Sequence, residues 1–301
     1  MVKIINGIEI ANKIYKILEK DIKKLKQLYN ISLKLAVISI GNAESFKMYT
    51  NCKRNSCLRL GIGFEEYIFN ENNKEEEIIK LIKRLNHNDN VTGIMVQLPL
   101  PKRLNKRKIL ESINKEKDVD SLTPANLGYL TFGKDSENLS FAPCTALSIL
   151  EILRYENIQL EGKHVVILSR SNIVGKPLAL MLLNMNATVT VCHSKTKNLK
   201  DICRNADVII SATGIRNIIN KDMVNKNSIV IDAGINKDSN GKTCGDVNFN
   251  EISPLVKLIT PVPGGVGPVT VAILLKNLVF AAKNNLKVNC QTYKTTRKHS
   301  I

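Results

Sequence analysis

The sequence predicts an α/β protein of two domains, and three observations carry that expectation. At 301 residues the chain is long enough for two cores, at roughly 100 to 200 residues per domain. Short β-branched apolar runs alternate with longer stretches of helical periodicity in both halves, the rhythm of parallel strands joined by crossover helices. Between the halves, residues 133–142 (GKDSENLSFA) concentrate polar and turn-forming side chains, as the approach to a domain junction does.

Taken in chain order, Ile8, Ala11, Ile14, Tyr15, Leu18, Ile22 and Leu25 recur at three- and four-residue spacing, which predicts a helix over 8–28. The runs at 33–41, 63–69 and 90–98 read as strands, with helical patterns at 45–60 and 74–86 between them. This order predicts a largely parallel sheet with helices outside, a three-layer α/β domain over 1–144. A helix at 145–156 leads into strands at 164–168, 187–192, 207–212 and 228–234, separated by helix-length segments. That succession is Rossmann-like and defines a second domain over 145–269. The loop PVPGGVGPVT (261–270) then feeds an apolar helix, 270–283, expected to return to the first domain. The basic segment 284–301 is expected to be disordered.

Composition narrows the function classes. Apolar residues at 44% and charged residues at 24% are those of a globular protein rather than a disordered one. The seven cysteines are odd in number and lack CxxC spacing, so neither a disulfide framework nor a metal site is signalled, and a cytoplasmic setting is expected. The N-terminus has no continuous apolar h-region, and no apolar run approaches the roughly 18 residues of a membrane span, so no membrane partner is expected. The formal charge of +17 comes from lysines spread along helices, such as Lys16, Lys20, Lys23, Lys24 and Lys26, without interleaved aromatics. A solvated basic surface fits that pattern better than a nucleic-acid partner.

Two constellations carry chemistry. The strand at 164–168 runs into Ser169-Arg170-Ser171-Asn172-Ile173-Val174-Gly175-Lys176-Pro177 and then a helix, so backbone N–H groups and the helix dipole converge on one point suited to a pyrophosphate. The segment lacks the GxGxxG spacing, and a plain βα connection remains open. At the end of the next strand the chain reads Cys192-His193-Ser194-Lys195, with no carboxylate to repel a 2′-phosphate. Arg170, Ser194 and Lys195 would attract one, favouring NADP over NAD. His193 taken alone also fits a capping or surface histidine. In the first domain, Tyr49 and Lys53 lie four apart on a predicted helix, sharing one face. A lysine desolvated there becomes able to exchange protons near neutral pH, although a solvated surface pair has the same spacing. Gln97 falls at the carboxyl end of a parallel strand, where α/β sheets bind ligands. Asp120 ends Lys117-Asp118-Val119-Asp120 in a turn, which also fits a helix cap.

Together, Tyr49 with Lys53, Val96-Gln97-Leu98-Pro99-Leu100-Pro101, Lys117-Asp118-Val119-Asp120, Pro143-Cys144-Thr145, Arg170-Ser171 through Val174-Gly175 and Pro177, Cys192-His193-Ser194 and Pro261 to Pro268 resemble one family. It is the bifunctional methylenetetrahydrofolate dehydrogenase/cyclohydrolase family, and the resemblance runs from about residue 4 to 283. It implies oxidation of 5,10-methylenetetrahydrofolate by NADP and hydrolysis of the product to 10-formyltetrahydrofolate, in a catalytic cleft between the domains of a homodimer. It further implies that Lys53 is the central catalytic group, that Tyr49 stacks on the folate ring, that Gln97 tunes Lys53 and that Asp120 binds the pterin. Val96, Leu98, Pro263, Gly264 and Gly265 would line the substrate. Ser169, Arg170, Ser171, Gly175, His193, Ser194, Thr213, Gly214 and Ile235 would hold NADP. Four positions depart from the family's usual pattern. Phe46 stands where a serine is usual, with Ser45 one position earlier; Ser121 replaces a glycine; Ala146 replaces a proline; and Ser169 replaces a glycine. At Ser169 a left-handed backbone would strain a non-glycine residue by about 1 to 2 kcal/mol. Two alternatives are a dehydrogenase with weak hydrolysis, suggested by the altered region around Ser45, and a non-catalytic basic binding protein on the same scaffold.

Overall fold

The computed structural model describes residues 2–41, 44–132 and 142–298, with 44–49 and 287–298 described by backbone alone. The chain opens with β1 (Lys3–Ile4), α1 (Gly7–Tyr29), β2 (Lys34–Ile40), α2 (Glu44–Arg59), β3 (Gly63–Phe69), α3 (Glu75–Asn86) and β4 (Gly93–Val96). Three helices follow: α4 (Lys106–Glu111), α5 (Pro124–Tyr129) and α6 (Cys144–Tyr155). Next come β5 (His164–Leu168), α7 (Gly175–Leu183), β6 (Thr188–Cys192), α8 (Leu199–Arg204), β7 (Val208–Ser211) and β8 (Ile229–Asp232). The last elements are β9 (Asn236–Lys237), β10 (Thr243–Cys244), α9 (Phe249–Ile252), β11 (Leu258–Ile259) and α10 (Val266–Lys298). Two compact units result, one of Ile14–Asn126 with Leu274–Ile301 and the other of Met1–Lys13 with Leu127–Ile273.

The unit of Ile14–Asn126 is built on a parallel sheet in the order β3-β2-β4. Central β2 is buried along its length, with Leu35, Ala36, Val37 and Ile38 all inaccessible, which is why its sequence reads as a continuous apolar run rather than an alternating one. α3 buries Ile78, Leu81, Ile82 and Leu85, the single stripe that its three- and four-residue spacing dictates. Glu75, Glu76 and Glu77 occupy its first turn and Lys83 and Arg84 its last, matching the helix dipole at both ends. Gly93 opens β4 because nothing larger fits. A Cβ there would lie 2.4 Å from Val119 Cγ1 and 2.6 Å from Leu278 Cδ1.

The other unit carries a six-stranded sheet in the order β1-β11-β8-β7-β5-β6, parallel at every pairing. The chain leaves β5 for β6 on one side and returns to β7 on the other, so β5 and β7 flank a topological switch point, where open α/β sheets bind ligands. Val166, Leu168, Ile209, Val230 and Ile259 from four of these strands share a buried cluster.

Most predicted strands and helices lie within a residue or two of their expected bounds, although the strand expected at 90–98 contracts to Gly93–Val96. Other features of the fold were not read from the sequence. β1 pairs with β11, Ile4 against Ile259, and Met1–Lys13 groups with the six-stranded unit. The described residues of Leu127–Ile273 group with that unit as well, beside the division into 1–144 and 145–269 expected from the sequence. The tail expected to be disordered from 284 continues α10 as far as Lys298, with no glycine or proline after Asn284 to stop it. Within α10, Val266–Leu286 is long and apolar enough to cross a membrane by length and composition, although Gly, Thr, Lys and Asn interrupt the run; 67% of its most apolar 18-residue stretch is buried within the protein. The polar stretch at 133–142 falls, except for Ala142, outside the described residues.

Candidate active site

Lys53 is buried, with 6% of its surface exposed, on the third turn of α2. Its ammonium donates to Gln97 Oε1. Gln97 directly follows β4, with its own N–H held by Ile38 O at 2.8 Å. The amide is oriented from behind, because Gln97 Nε2 donates to Leu98 O at 3.1 Å and so turns the carbonyl oxygen to the lysine. The solvated surface pair left open by spacing is thereby excluded for Lys53. One turn beyond it, burial pushes the Cys57 thiol up to about 12, so it stays a neutral neighbour. One turn before it, Thr50 is buried with no hydrogen-bond partner for Oγ1 among the described residues, a feature that sequence reading missed. Tyr49 lies on the same helix, and its side chain, like those of Ser45 and Phe46, is outside the described residues.

The acidic turn divides its labour. Asp118 is buried and accepts from Thr123 N at 2.7 Å and Asn126 Nδ2 at 3.0 Å, and burial holds its carboxyl above the ordinary range. It builds the turn on which Asp120 lies half-buried. Ser121, fully buried, adopts φ 58. The left-handed backbone considered for Ser169 from the sequence occurs instead at Ser121, while Ser169 has no positive φ.

In the six-stranded unit the expected cofactor residues fall at the carboxyl ends of adjacent parallel strands. Ser169, Arg170 and Ser171 follow β5, His193 and Ser194 follow β6, Thr213 and Gly214 follow β7, and Ile235 follows β8. Leu168 pairs with Cys192, so Arg170 and Ser194, both exposed, emerge from neighbouring strand ends. Ser171 Oγ accepts from Val174 N at 3.1 Å and Gly175 N at 3.3 Å, tying the loop to the start of α7. Gly175 is a close-approach glycine, because a Cβ there would lie 2.0 Å from Ser169 O. A strand end, a short loop and a helix N-terminus this tightly joined make a fitting cradle for a dinucleotide phosphate. His193 supports its own turn: Nδ1 accepts from Lys195 N at 3.2 Å, and His193 N donates to Thr196 Oγ1 at 2.9 Å. Pro263, Gly264 and Gly265 follow β11. Gly264 has φ 101, its carbonyl accepts from Gly7 N at 2.9 Å, and a Cβ on Gly7 would meet Gly265 O at 1.8 Å.

Two acids at this end of the sheet escaped sequence reading. Asp232 ends β8 and accepts from Gly234 N, Asp246 N and Val247 N, and burial raises it to about 6. Asp246, also fully buried, accepts from Ser211 Oγ, Thr213 N and Thr213 Oγ1. An acid at the carboxyl end of a buried parallel strand, as in Val230-Ile231-Asp232, was the signal available for the first.

Comparison with known proteins also divides the chain in two. The profile of the tetrahydrofolate dehydrogenase/cyclohydrolase catalytic domain matches residues 5–120, and that of the NAD(P)-binding domain of the same family matches 143–286. The bifunctional protein FolD of Acetivibrio thermocellus is 44% identical over 286 residues, covering 95% of this chain and 99% of its own. The chain belongs to the tetrahydrofolate dehydrogenase/cyclohydrolase family. Within this family, the crystal structure of the bifunctional enzyme FolD from Campylobacter jejuni superposes with a TM-score of 0.90 at 46% identity, covering 95% of this chain and 100% of that one. The Trypanosoma brucei enzyme, solved with NADP and an inhibitor, also gives 0.90, at 35% identity over 95% of this chain and 98% of its own. The family's catalytic-domain match takes in Lys53, Gln97 and Asp120, and its NAD(P)-binding match takes in every residue from Ser169 to Gly265 named above.

Proposed function

We propose that this chain oxidises 5,10-methylenetetrahydrofolate with NADP to 5,10-methenyltetrahydrofolate and hydrolyses that product to 10-formyltetrahydrofolate, as a cytoplasmic homodimer in one-carbon metabolism. The observation that carries the reading is the buried Lys53 ammonium held by an oriented Gln97 carbonyl, inside the part of the chain that matches the family's catalytic domain.

In the first reaction a hydride leaves the methylene carbon with its electron pair, and the carbon is left in a cation shared with both folate nitrogens. Bound NADP supplies the hydride acceptor. The chain's part is to orient: Tyr49 stacks on the folate ring, Asp120 accepts from the pterin, and Val96 and Leu98 line the approach. In the second reaction water adds to the methenyl carbon, the bond to N5 breaks, N5 keeps a proton, and one proton is released. Lys53 positions that water and polarises the folate. Gln97 engages one of the ammonium's three donors, which leaves the direction of the others fixed by the amide behind it.

For the cofactor, Arg170, Ser194 and Lys195 bring positive charge and a hydroxyl to neighbouring strand ends, as a 2′-phosphate needs. Ser169, Ser171 and Gly175 shape the phosphate loop, His193 holds the adjoining turn, Thr213 and Gly214 follow the switch-point strand, and Ile235 flanks the nicotinamide. The glycines at 264 and 265, after Pro263, allow backbone to approach the ligands closely.

Product analysis tests the reading. With methylenetetrahydrofolate and NADP, NADPH and 10-formyltetrahydrofolate should form together, and NAD should serve poorly. Methenyltetrahydrofolate that accumulates and decays at its uncatalysed rate would leave only a dehydrogenase, and no turnover with either cofactor would leave the binding-protein alternative.

A further inference from the structure

The buried acids Asp232 and Asp246 take no part in the mechanism above, yet they organise the loops on which its cofactor site depends. Asp246 Oδ2 receives three donors: Ser211 Oγ at 2.7 Å, Thr213 N at 2.6 Å and Thr213 Oγ1 at 2.8 Å. Its Oδ1 receives Asn236 Nδ2 at 2.9 Å, and the same amide also donates to Gly245 O at 3.0 Å. One carboxylate therefore ties the segment after β7, Thr213 and Gly214, to the segment after β8, which carries Ile235. Asp232 supports it from behind, accepting Asp246 N at 3.1 Å and Gly234 N at 2.9 Å.

The packing leaves the carboxylate no latitude. A Cβ on Gly234 would lie 2.1 Å from Asp246 Oδ1 and 2.2 Å from its Cγ, and a Cβ on Gly245 would lie 1.9 Å from Asp232 Oδ2. All four ligands of Asp246 are donors, so an acceptor-only group is required at both oxygens. An asparagine in its place would set its own NH2 against either the Thr213 and Ser211 donors or the Asn236 amide, and one arm would be lost.

We propose that Asp246 is a positioning residue for the dinucleotide site, holding the Thr213–Gly214 segment and the Ile235 segment in the mutual arrangement that NADP requires. The inference rests on the reading that these two segments flank the nicotinamide half of the cofactor.

The test compares Asp246→Asn, Gly234→Ala and Ile235→Ala with the wild-type full chain. Three quantities are measured: NADP affinity by calorimetry, hydrolysis of methenyltetrahydrofolate without any nicotinamide, and amide exchange of residues 211–216 in the ligand-free protein. Asp246→Asn and Gly234→Ala should each weaken NADP by roughly tenfold or more and speed exchange at 211–216, with hydrolysis held within about twofold. NADP affinity unchanged in both, while Ile235→Ala weakens it, overturns the role of Asp246. Ile235→Ala with wild-type affinity overturns instead the assignment of these segments to the nicotinamide. Loss of hydrolysis together with NADP binding in both Asp246→Asn and Gly234→Ala also overturns the proposal, because it makes the carboxylate a general stability element.

Discussion

Gly175→Ala separates the two activities by a displacement whose size can be worked from the structure. The added Cβ would lie 2.0 Å from Ser169 O, 2.5 Å from Ser169 C and 3.0 Å from Arg170 N. All three atoms are backbone, so no side chain can swing aside. Ordinary contact needs about 3.5 Å, which means the first turn of α7 and the Ser169–Arg170 loop must part by roughly 1.5 Å. Overpacking of this kind costs about 1 to 3 kcal/mol, and each kcal/mol lowers Tm by about 2 to 4 °C at this size. Misplacement by about 1 Å at a binding loop costs on the order of a hundredfold. The expected result is a KM for NADP raised about a hundredfold, with hydrolysis of methenyltetrahydrofolate, which needs no cofactor, within about twofold. Steady-state kinetics on both reactions, with a melting curve, would decide. An unchanged KM for NADP in a protein whose Tm has dropped would refute the reasoning, since the loop would have moved without the cofactor registering it.

Gln97→Glu should place a carboxylate against the Lys53 ammonium, an attraction of about 4 kcal/mol at an effective dielectric near 20; by drawing the ammonium toward the carboxylate and away from water and folate it should cut hydrolysis about a hundredfold or more, while calorimetry finds NADP affinity unaltered. Ser121→Gly should stabilise the protein to urea by ~0.5 to 1 kcal/mol, because glycine occupies φ 58 without strain; a lower unfolding midpoint would mean that the serine's own contacts outweigh the backbone cost. Asp232 predicts a pH dependence: its carboxyl is raised to about 6 in the folded chain, against about 3.9 unfolded, so its stabilisation is complete below the lower value and is lost as pH rises through the upper one. Urea unfolding at pH 5 and pH 7 should show wild type losing on the order of 1 kcal/mol more than Asp232→Asn over that interval, and parallel losses would remove the assignment.

What was legible in the sequence was whatever local periodicity encodes. Lys53 lies four residues after Tyr49 on an unmistakable helix, and Gln97 ends an apolar strand, so both could be placed before their hydrogen bond was known. The fold of each unit followed from the same alternation of strand and helix. Pairings between distant residues were not legible. β1 and β11 are two residues each, too short for any period, and exist because Lys3 and Ile4 find Leu258 and Ile259 across more than 250 residues of chain. Asp246 binds Ser211 and Thr213 from 33 or more positions away, so in sequence it looks like one more acid in a turn. Ser121 and Ser169 show a subtler limit. Each stands where the family resemblance implied a glycine, but only backbone geometry reveals that the first occupies a left-handed conformation and the second does not.

Lys53→Met gives the most direct test of the central claim, with NADPH and methenyltetrahydrofolate followed together by absorbance after methylenetetrahydrofolate and NADP are mixed with wild type or variant. Wild type should form NADPH with little methenyl product standing, and the variant should bind NADP within a few fold of wild type yet leave methenyltetrahydrofolate to hydrolyse at its uncatalysed rate. A variant that hydrolyses at the wild-type rate, or one that loses NADP binding instead, would contradict the account.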